Sequence, residues 1–200
     1  MQYVPFGKLG FDVSRLGFGM MRLPTTTNEE GKVCINRPEA TRMLRHAIDR
    51  GINYVDTAYG YHFQESEILT GLALKDGYRE KVKLTTKLPQ WLVKEHADMD
   101  RLLDEQLRKL DVPYVDFYLV HSLSGDAFHR IQALDYRGFL KRALKDGRIR
   151  HAGFSFHDEK DVFIEIVDDF DWELAQIQFN YLDDENQATL EGMRYAAKRG

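Results

Sequence analysis

Residues 56–121 contain four side chains that could do chemistry together. These are the carboxylate of Asp56, the phenol of Tyr61, the ammonium of Lys87 and the imidazole of His121. A tyrosine, with a reference pKa of about 10, parts reluctantly with its proton at neutral pH, but a neighbouring ammonium stabilises the phenolate. A carboxylate can hold that ammonium in place, and an imidazole can bind a substrate oxygen or relay a proton. Together these groups could polarise a carbonyl and protonate the alkoxide as hydride arrives.

These side chains lie at the ends of predicted strands. Short runs rich in β-branched and aromatic residues are apolar on both faces, which is typical of parallel strands covered by helices. The predicted strands are 15–18, 53–58, 82–88, 115–121, 149–156 and 174–181. Parallel strands present their carboxyl ends on one rim, so we expect the four side chains to converge there. Ser155, Gln176 and Asn180 are expected near the same rim.

Amphipathic helices are predicted between the strands. The clearest covers 38–50, where apolar residues recur at helical spacing, Asn36 can cap the start and Gly51 can end it. The others are predicted within 67–74, 99–110, 139–147, 159–167 and 189–199.

The repeated strand–helix units predict an α/β fold with right-handed βα crossovers. A closed (β/α)8 TIM barrel needs eight units and typically about 250 residues. The 200-residue chain contains six, so we expect a single barrel domain over 1–200 that is truncated at its C-terminus. Residues 3–14 are predicted to form a β-hairpin that turns near 8–10 and plugs the bottom of the barrel.

Composition favours a cytoplasmic protein with a small-molecule site. Hydrophobic residues make up 43% and charged residues 30%, and the formal net charge of −4 comes with dispersed basic residues. This pattern argues against nucleic acid or a membrane surface as partner. No signal peptide or long apolar segment is evident, and the single Cys34 cannot form an internal disulfide. Nothing in the composition indicates an oligomeric state.

Several short segments, in this order along the chain, resemble the aldo-keto reductase family. They are 56–61 (DTAYGY), 66–67 (SE), 86–88 (TKL), 118–121 (YLVH), 153–155 (GFS) and 176–180 (QIQFN). The resemblance implies a (β/α)8 barrel that binds NADP(H) or NAD(H) without a Rossmann domain and interconverts a carbonyl and an alcohol. It also implies a catalytic tetrad of Asp56, Tyr61, Lys87 and His121, with Tyr61 as the general acid.

The resemblance further implies cofactor contacts. It places Gly19, Met20, Met21 and Asp56 at the nicotinamide ribose, and Ser155 and Gln176 at the carboxamide. Phe156 stands where the family often has asparagine, a second carboxamide partner. Residues 153–157 (GFSFH) and 178–183 (QFNYLD) resemble a microbial subgroup, some members of which carry an iron–sulfur segment after the barrel. Such a cluster would need residues beyond 200, because Cys34 is alone.

Other interpretations remain open for these residues. Taken singly, a strand-end aspartate can be a cap, a tyrosine packing, a lysine a solvated charge and a histidine a satisfied core residue. Metal ligation by Asp56, His121 and His157 is the rival chemistry, although no closely spaced His/Cys pair supports it. Trp91 could be a pocket wall or a loop anchor.

Two further alternatives concern the whole chain. Residues 17–19 (GFG) begin like a dinucleotide fingerprint, but Arg22 replaces its last glycine, which disfavours a Rossmann site. The alternative function is a catalytically weak, nicotinamide-binding regulatory or structural barrel, since a fold alone does not guarantee turnover.

Overall fold

The computed structural model describes residues 1–199. The strands are β1 (Tyr3–Pro5), β2 (Asp12–Ser14), β3 (Phe18–Gly19), β4 (Thr25–Thr27), β5 (Val33–Ile35), β6 (Tyr54–Asp56), β7 (Lys83–Leu88), β8 (Val115–Leu123), β9 (Ile149–Phe156) and β10 (Leu174–Ile177). The helices are α1 (Arg37–Asp49), α2 (Glu65–Ala73), α3 (His96–Leu110), α4 (Gly125–Ala133), α5 (Tyr136–Asp146), α6 (Lys160–Asp169) and α7 (Thr189–Arg199).

Six strands form one curled parallel sheet in the order β3-β6-β7-β8-β9-β10. Every neighbouring pair in this sheet is parallel, and strands follow one another in chain order with helices between them. This is the arrangement of six consecutive βα units of a TIM barrel, as predicted. The predicted range of the fifth strand, 149–156, coincides with β9.

The register of the sheet decides which side chains share its inner face. Partners in a parallel pair point to the same side, as do residues two apart along one strand. Gly19 pairs with Asp56, Asp56 with Thr85, and Lys87 with Leu119. The same rule relates Leu119 to His121 and, through the β9–β10 pairing, Ser155 to Gln176.

The opposite face of the sheet packs against the helices. Leu84, Tyr118, Val120 and Phe154 are fully buried there, which explains why the strands are apolar on both sides. Phe156 also lies in this layer, where its ring centroid is 5.2 Å from that of Phe163 on α6. It therefore packs in the core on the helix side, away from the inner-face residues.

An N-terminal hairpin covers the amino ends of the strands. β1 and β2 pair antiparallel, as predicted for 3–14. Phe6 and Phe11 in its turn stack on each other at 5.7 Å and lie 5.1 and 6.2 Å from the ring of Phe117 on β8. Phe11 also lies 5.9 Å from His151 on β9. The hairpin thus closes this end with an aromatic cluster.

Some predicted boundaries were wrong. The first strand of the sheet is Phe18–Gly19 rather than 15–18, because Arg15 still bonds Gln2 and the Ser14 hydroxyl donates to the Leu16 carbonyl. The sixth ends at Ile177 rather than 181, where the chain turns at Asn180.

Three elements escaped prediction. The β4–β5 hairpin has three-residue strands with mostly exposed side chains, too short for a clear alternation. Helix α4 is only nine residues long, and its start is capped by the Ser124 hydroxyl.

Substituting Gly71 with alanine is expected to destabilise the fold. Gly71 lies in α2, and an added Cβ would stand 2.7 Å from the carbonyl carbon of Leu110 at the end of α3. Since backbone is in the way, the two helices must move apart, which costs about 1–3 kcal/mol. Thermal unfolding followed by circular dichroism should show a Tm lower by roughly 2–12 °C.

Gly19→Ala is the matched control, because its Cβ would meet no atom of the described residues within 4 Å. Equal Tm values for the two variants would show that the α2–α3 contact tolerates a methyl group.

Candidate active site

The ammonium of Lys87 is the centre of the candidate site. Lys87 lies near the carboxyl end of β7 and is 1% exposed. Its Nζ donates to Asp56 Oδ2 at 2.8 Å, to the Thr57 carbonyl at 2.8 Å and to the Tyr61 hydroxyl at 3.3 Å. A lysine ammonium has three donors and no acceptor, so all three are used. The Tyr61 oxygen therefore accepts from Lys87, and its own hydrogen is free for another partner.

Tyr61 is held by the connection between β6 and α2. Its amide donates to the Ala58 carbonyl at 3.2 Å, and a short 3-10 turn, Tyr61–Gln64, follows. His62, Phe63 and Gln64 adopt left-handed φ values of 49°, 54° and 72°. Such conformations cost about 1–3 kcal/mol each outside glycine and persist only where surrounding contacts impose them.

One of those contacts is the His62 ring, whose Nε2 accepts the Leu23 amide at 3.1 Å. A second is the pair of buried hydroxyls of Thr57 and Ser66, which are 2.9 Å apart and join the end of β6 to α2. These contacts fix the turn that carries the phenol.

His121 faces Tyr61 from the end of β8. The two ring centroids are 6.1 Å apart and the rings are nearly perpendicular. Burial, reinforced by the positive charge of Lys87 and then by His157, lowers the pKa of His121 to about 3. The imidazole is therefore neutral near pH 7 and carries one N–H donor and one acceptor nitrogen. Its Nδ1 is buried and has no hydrogen-bond partner within residues 1–199.

Trp91 lies beside His121, with ring centroids 5.2 Å apart, and is 49% exposed. A half-exposed ring at this place favours the pocket-wall interpretation over the loop anchor. The loop is tied down by Arg130 of α4, whose guanidinium donates to the Gln90 carbonyl at 2.7 Å and the Val93 carbonyl at 2.9 Å. Sequence analysis missed Arg130, because its partners lie about 40 positions away and nothing local marks it.

A buried polar network behind Lys87 was also missed. The Gln106 amide nitrogen donates to the Lys87 carbonyl at 2.9 Å and to Glu67 Oε1 at 2.6 Å. Thr86 donates to the same carboxylate oxygen at 2.6 Å, and the Tyr118 hydroxyl donates to Gln106 at 2.7 Å. Burial raises the pKa of Glu67. This network fixes the backbone of β7 at Thr86 and Lys87, and thereby the position from which the Lys87 side chain extends.

The expected cofactor residues divide into two groups. Gly19 lies next to Asp56 in the sheet, is exposed, and has open space where a side chain would be. Met21 is 46% exposed, but the Met20 side chain is fully buried and its amide donates to the Asp56 carbonyl at 2.8 Å. Of these three residues, Gly19 and Met21 are therefore solvent-exposed, whereas the Met20 side chain is buried in the core.

Ser155 and Gln176 are register partners on β9 and β10. The Gln176 Oε1 atom is buried without a hydrogen-bond partner among the described residues. An unpaired amide oxygen beside a serine hydroxyl suits the carboxamide of a nicotinamide, which offers both donors and an acceptor. The residues present therefore fit the implied cofactor group.

Two other features bear on the alternatives. Within residues 1–199, no three His, Cys, Asp or Glu side chains are grouped so that they could hold a metal ion. Across the same residues, none of the helices is long and apolar enough to span a membrane.

His121 is expected to stay neutral throughout the ordinary pH range. Because its pKa is about 3, its ring resonances should not titrate between pH 5 and 8 in an NMR experiment. In the unfolded chain the ring takes up a proton near its ordinary pKa of 6.5, whereas in the folded protein it stays neutral. Acid below pH 6.5 therefore favours the unfolded state. Stability should fall as pH drops below 6.5, and His121→Gln should reduce that slope. A His121 titration near pH 6.5 would contradict the prediction.

Comparison with curated proteins finds aldo-keto reductases among the relatives of this chain. Probable aldo-keto reductase 1 of Glycine max is 30% identical over 163 residues, which cover 78% of this chain and 45% of that protein. Aldo-keto reductase YhdN of Bacillus subtilis is 32% identical over 133 residues, or 60% of this chain and 38% of that protein. The chain thus spans less than half the length of these relatives.

A solved structure agrees with them. The holo form of aldo-keto reductase AKR11C1 from Bacillus halodurans superposes with a TM-score of 0.74 at 26% identity, covering 92% of this chain and 59% of that one. The sequence profile of the Aldo/keto reductase family matches residues 15–200. With the six-stranded parallel sheet and this match over nearly its whole length, the chain belongs to the aldo/keto reductase family.

Proposed function

We propose that the protein is an NAD(P)H-dependent oxidoreductase that interconverts an aldehyde or ketone with the corresponding alcohol, and that Tyr61 is its general acid and base. The observation that carries the proposal is the buried Lys87 ammonium, which contacts both the Asp56 carboxylate and the Tyr61 hydroxyl. The arrangement leaves the phenol hydrogen available to a substrate.

Each residue of the site has one proposed task in reduction. The N–H of the neutral His121 ring binds the carbonyl oxygen and orients it towards Tyr61. Tyr61 gives its proton to the oxygen as negative charge develops there. Lys87 stabilises the phenolate that remains, and Asp56 balances the ammonium in its buried position. Alcohol oxidation would use the same groups in reverse.

The nicotinamide cofactor, when bound, supplies the hydride. Gly19, Met21 and Asp56 are proposed to contact its ribose, and Ser155 and Gln176 its carboxamide. Met20 is proposed to support this segment from the core, since its side chain is buried. A cytoplasmic location and a small-molecule carbonyl substrate, with neither nucleic acid nor membrane as partner, belong to the same proposal.

Cofactor oxidation assays test this function. The loss of NADPH or NADH absorbance would be followed with a panel of aldehydes, ketones and quinones. We expect turnover with at least one carbonyl class and binding of one or both cofactors. Cofactor binding without turnover on any substrate would favour the catalytically weak, nicotinamide-binding barrel.

A further inference from the structure

The strand that carries His121 contains a bulge at that residue. Along the β8–β9 pair, Val120 is the partner of Phe154, but the next partners are Leu123 and Phe156. Two residues of β8, His121 and Ser122, therefore oppose the single residue Ser155 of β9. A bulge of this kind leaves a residue without its ladder partner and redirects the chain.

Ser122 is the residue that the bulge displaces. Its φ of 53° is left-handed, which is unfavourable for a residue with a Cβ. The Ser122 amide donates to the Ser155 side-chain oxygen at 2.7 Å. Ser155 is 5% exposed, so little water is available to replace this bond. A side chain on β9 thus supplies the acceptor for an N–H group that has left the regular ladder.

The same bond constrains the Ser155 hydroxyl. Its oxygen accepts from Ser122, so its hydrogen must point to another group. The Ser155 oxygen thus bonds the backbone beside His121, while its hydrogen is available to a group bound next to Gln176. Its position allows a role in placing His121 that is separate from binding a carboxamide.

We propose that Ser155 is a positioning residue that clamps the His121–Ser122 bulge and so sets the place of the His121 ring relative to Tyr61. The effect on turnover rests on the proposed function of His121 and Tyr61. The effect on the bulge itself does not, since the hydrogen bond lies within the protein.

Amide hydrogen exchange in the protein without cofactor tests the clamp directly. In Ser155→Ala the Ser122 amide should exchange about tenfold faster than in the wild type, because its acceptor is gone. The His121 ring resonances should shift in the same variant. Ser155→Thr keeps the oxygen and should exchange within about threefold of the wild type. In Ser155→Cys, which keeps a weaker acceptor, the Ser122 amide should exchange at an intermediate rate. This variant replaces the alanine variant in the experiment if Ser155→Ala fails to fold.

Gln176→Ala separates the clamp from cofactor binding. Gln176 is the neighbour of Ser155 on β10 but does not bond β8, so its loss should weaken cofactor affinity and leave Ser122 exchange unchanged. Ser155→Ala should also lower kcat by up to about 10²-fold, beyond any change in cofactor affinity, because the His121 ring is no longer held in place relative to Tyr61.

Unchanged Ser122 exchange in Ser155→Ala, or equal acceleration in Gln176→Ala, would overturn the clamp. Absence of turnover in the wild type would instead overturn the proposed function, and the exchange data would still decide about Ser155.

Discussion

Replacing Tyr61 with phenylalanine is expected to lower kcat for carbonyl reduction by about 10²–10⁴-fold, the usual contribution of a positioned proton donor. The ring and its contacts would remain, while the only group removed is the hydroxyl that accepts from Lys87 at 3.3 Å. Cofactor affinity should change little, because the phenol hydrogen is not proposed to bind the cofactor. Steady-state kinetics and a separate fluorescence titration of the cofactor would measure the two effects.

Tyr59→Phe is the matched control for this substitution. Tyr59 lies two positions earlier and also loses a hydrogen-bonded hydroxyl, but its partner is Glu105 of α3 at 3.0 Å, on the helix side. Its kcat should remain near that of the wild type. Equal rates for Tyr61→Phe and the wild type would remove Tyr61 from the proposed chemistry, whatever the tyrosine control shows.

Replacing Lys87 with methionine is expected to damage both activity and stability. The Asp56 side chain is 13% exposed and would lose the ammonium that lies 2.8 Å from its Oδ2. Removing one partner of a buried ion pair typically costs about 3–5 kcal/mol, because the other charge is left uncompensated. The free energy of unfolding, measured in urea, should fall by about that amount. Activity should fall as well, since no ammonium remains to stabilise the phenolate.

A double variant distinguishes these two consequences. Asp56→Asn with Lys87→Met removes both charges, so it should be more stable than Lys87→Met alone. Activity should not return, because the proposed stabilisation of Tyr61 needs the ammonium itself. A double variant as unstable as the sum of the single changes would show that the pair is not coupled. Recovery of activity would contradict the role of Lys87.

The sequence was informative wherever the signal was local. Residues 149–156 (IRHAGFSF) are rich in β-branched and aromatic residues and follow the glycine that ends a predicted helix, and β9 has the same limits. Asn36 was expected to cap a helix, and its side chain accepts the Glu39 amide at the start of α1. Short or weakly patterned elements escaped, such as α4 with its glycine start and the three-residue strands of the β4–β5 hairpin.

The site shows the same division. Its residue types and their order at strand ends can be read from the chain, because parallel strands place successive carboxyl ends on one rim. That Lys87 also donates to the Thr57 carbonyl could not be read in this way. The contacts of Arg130 that hold the loop of Trp91 could not be read from the sequence either. The same is true of the hydrogen bond from the Ser122 amide, in the bulge beside His121, to the Ser155 side chain.

By itself, therefore, the sequence determined the alternation of strands and helices and the family, since these depend on local patterns and chain order. Only the tertiary structure decided the distances among the side chains of the candidate site, the burial that keeps His121 neutral, and the burial of the Met20 side chain in the core. The physical reason is that hydrogen-bond partners and burial arise from packing between segments far apart in the chain, and no local pattern encodes their geometry.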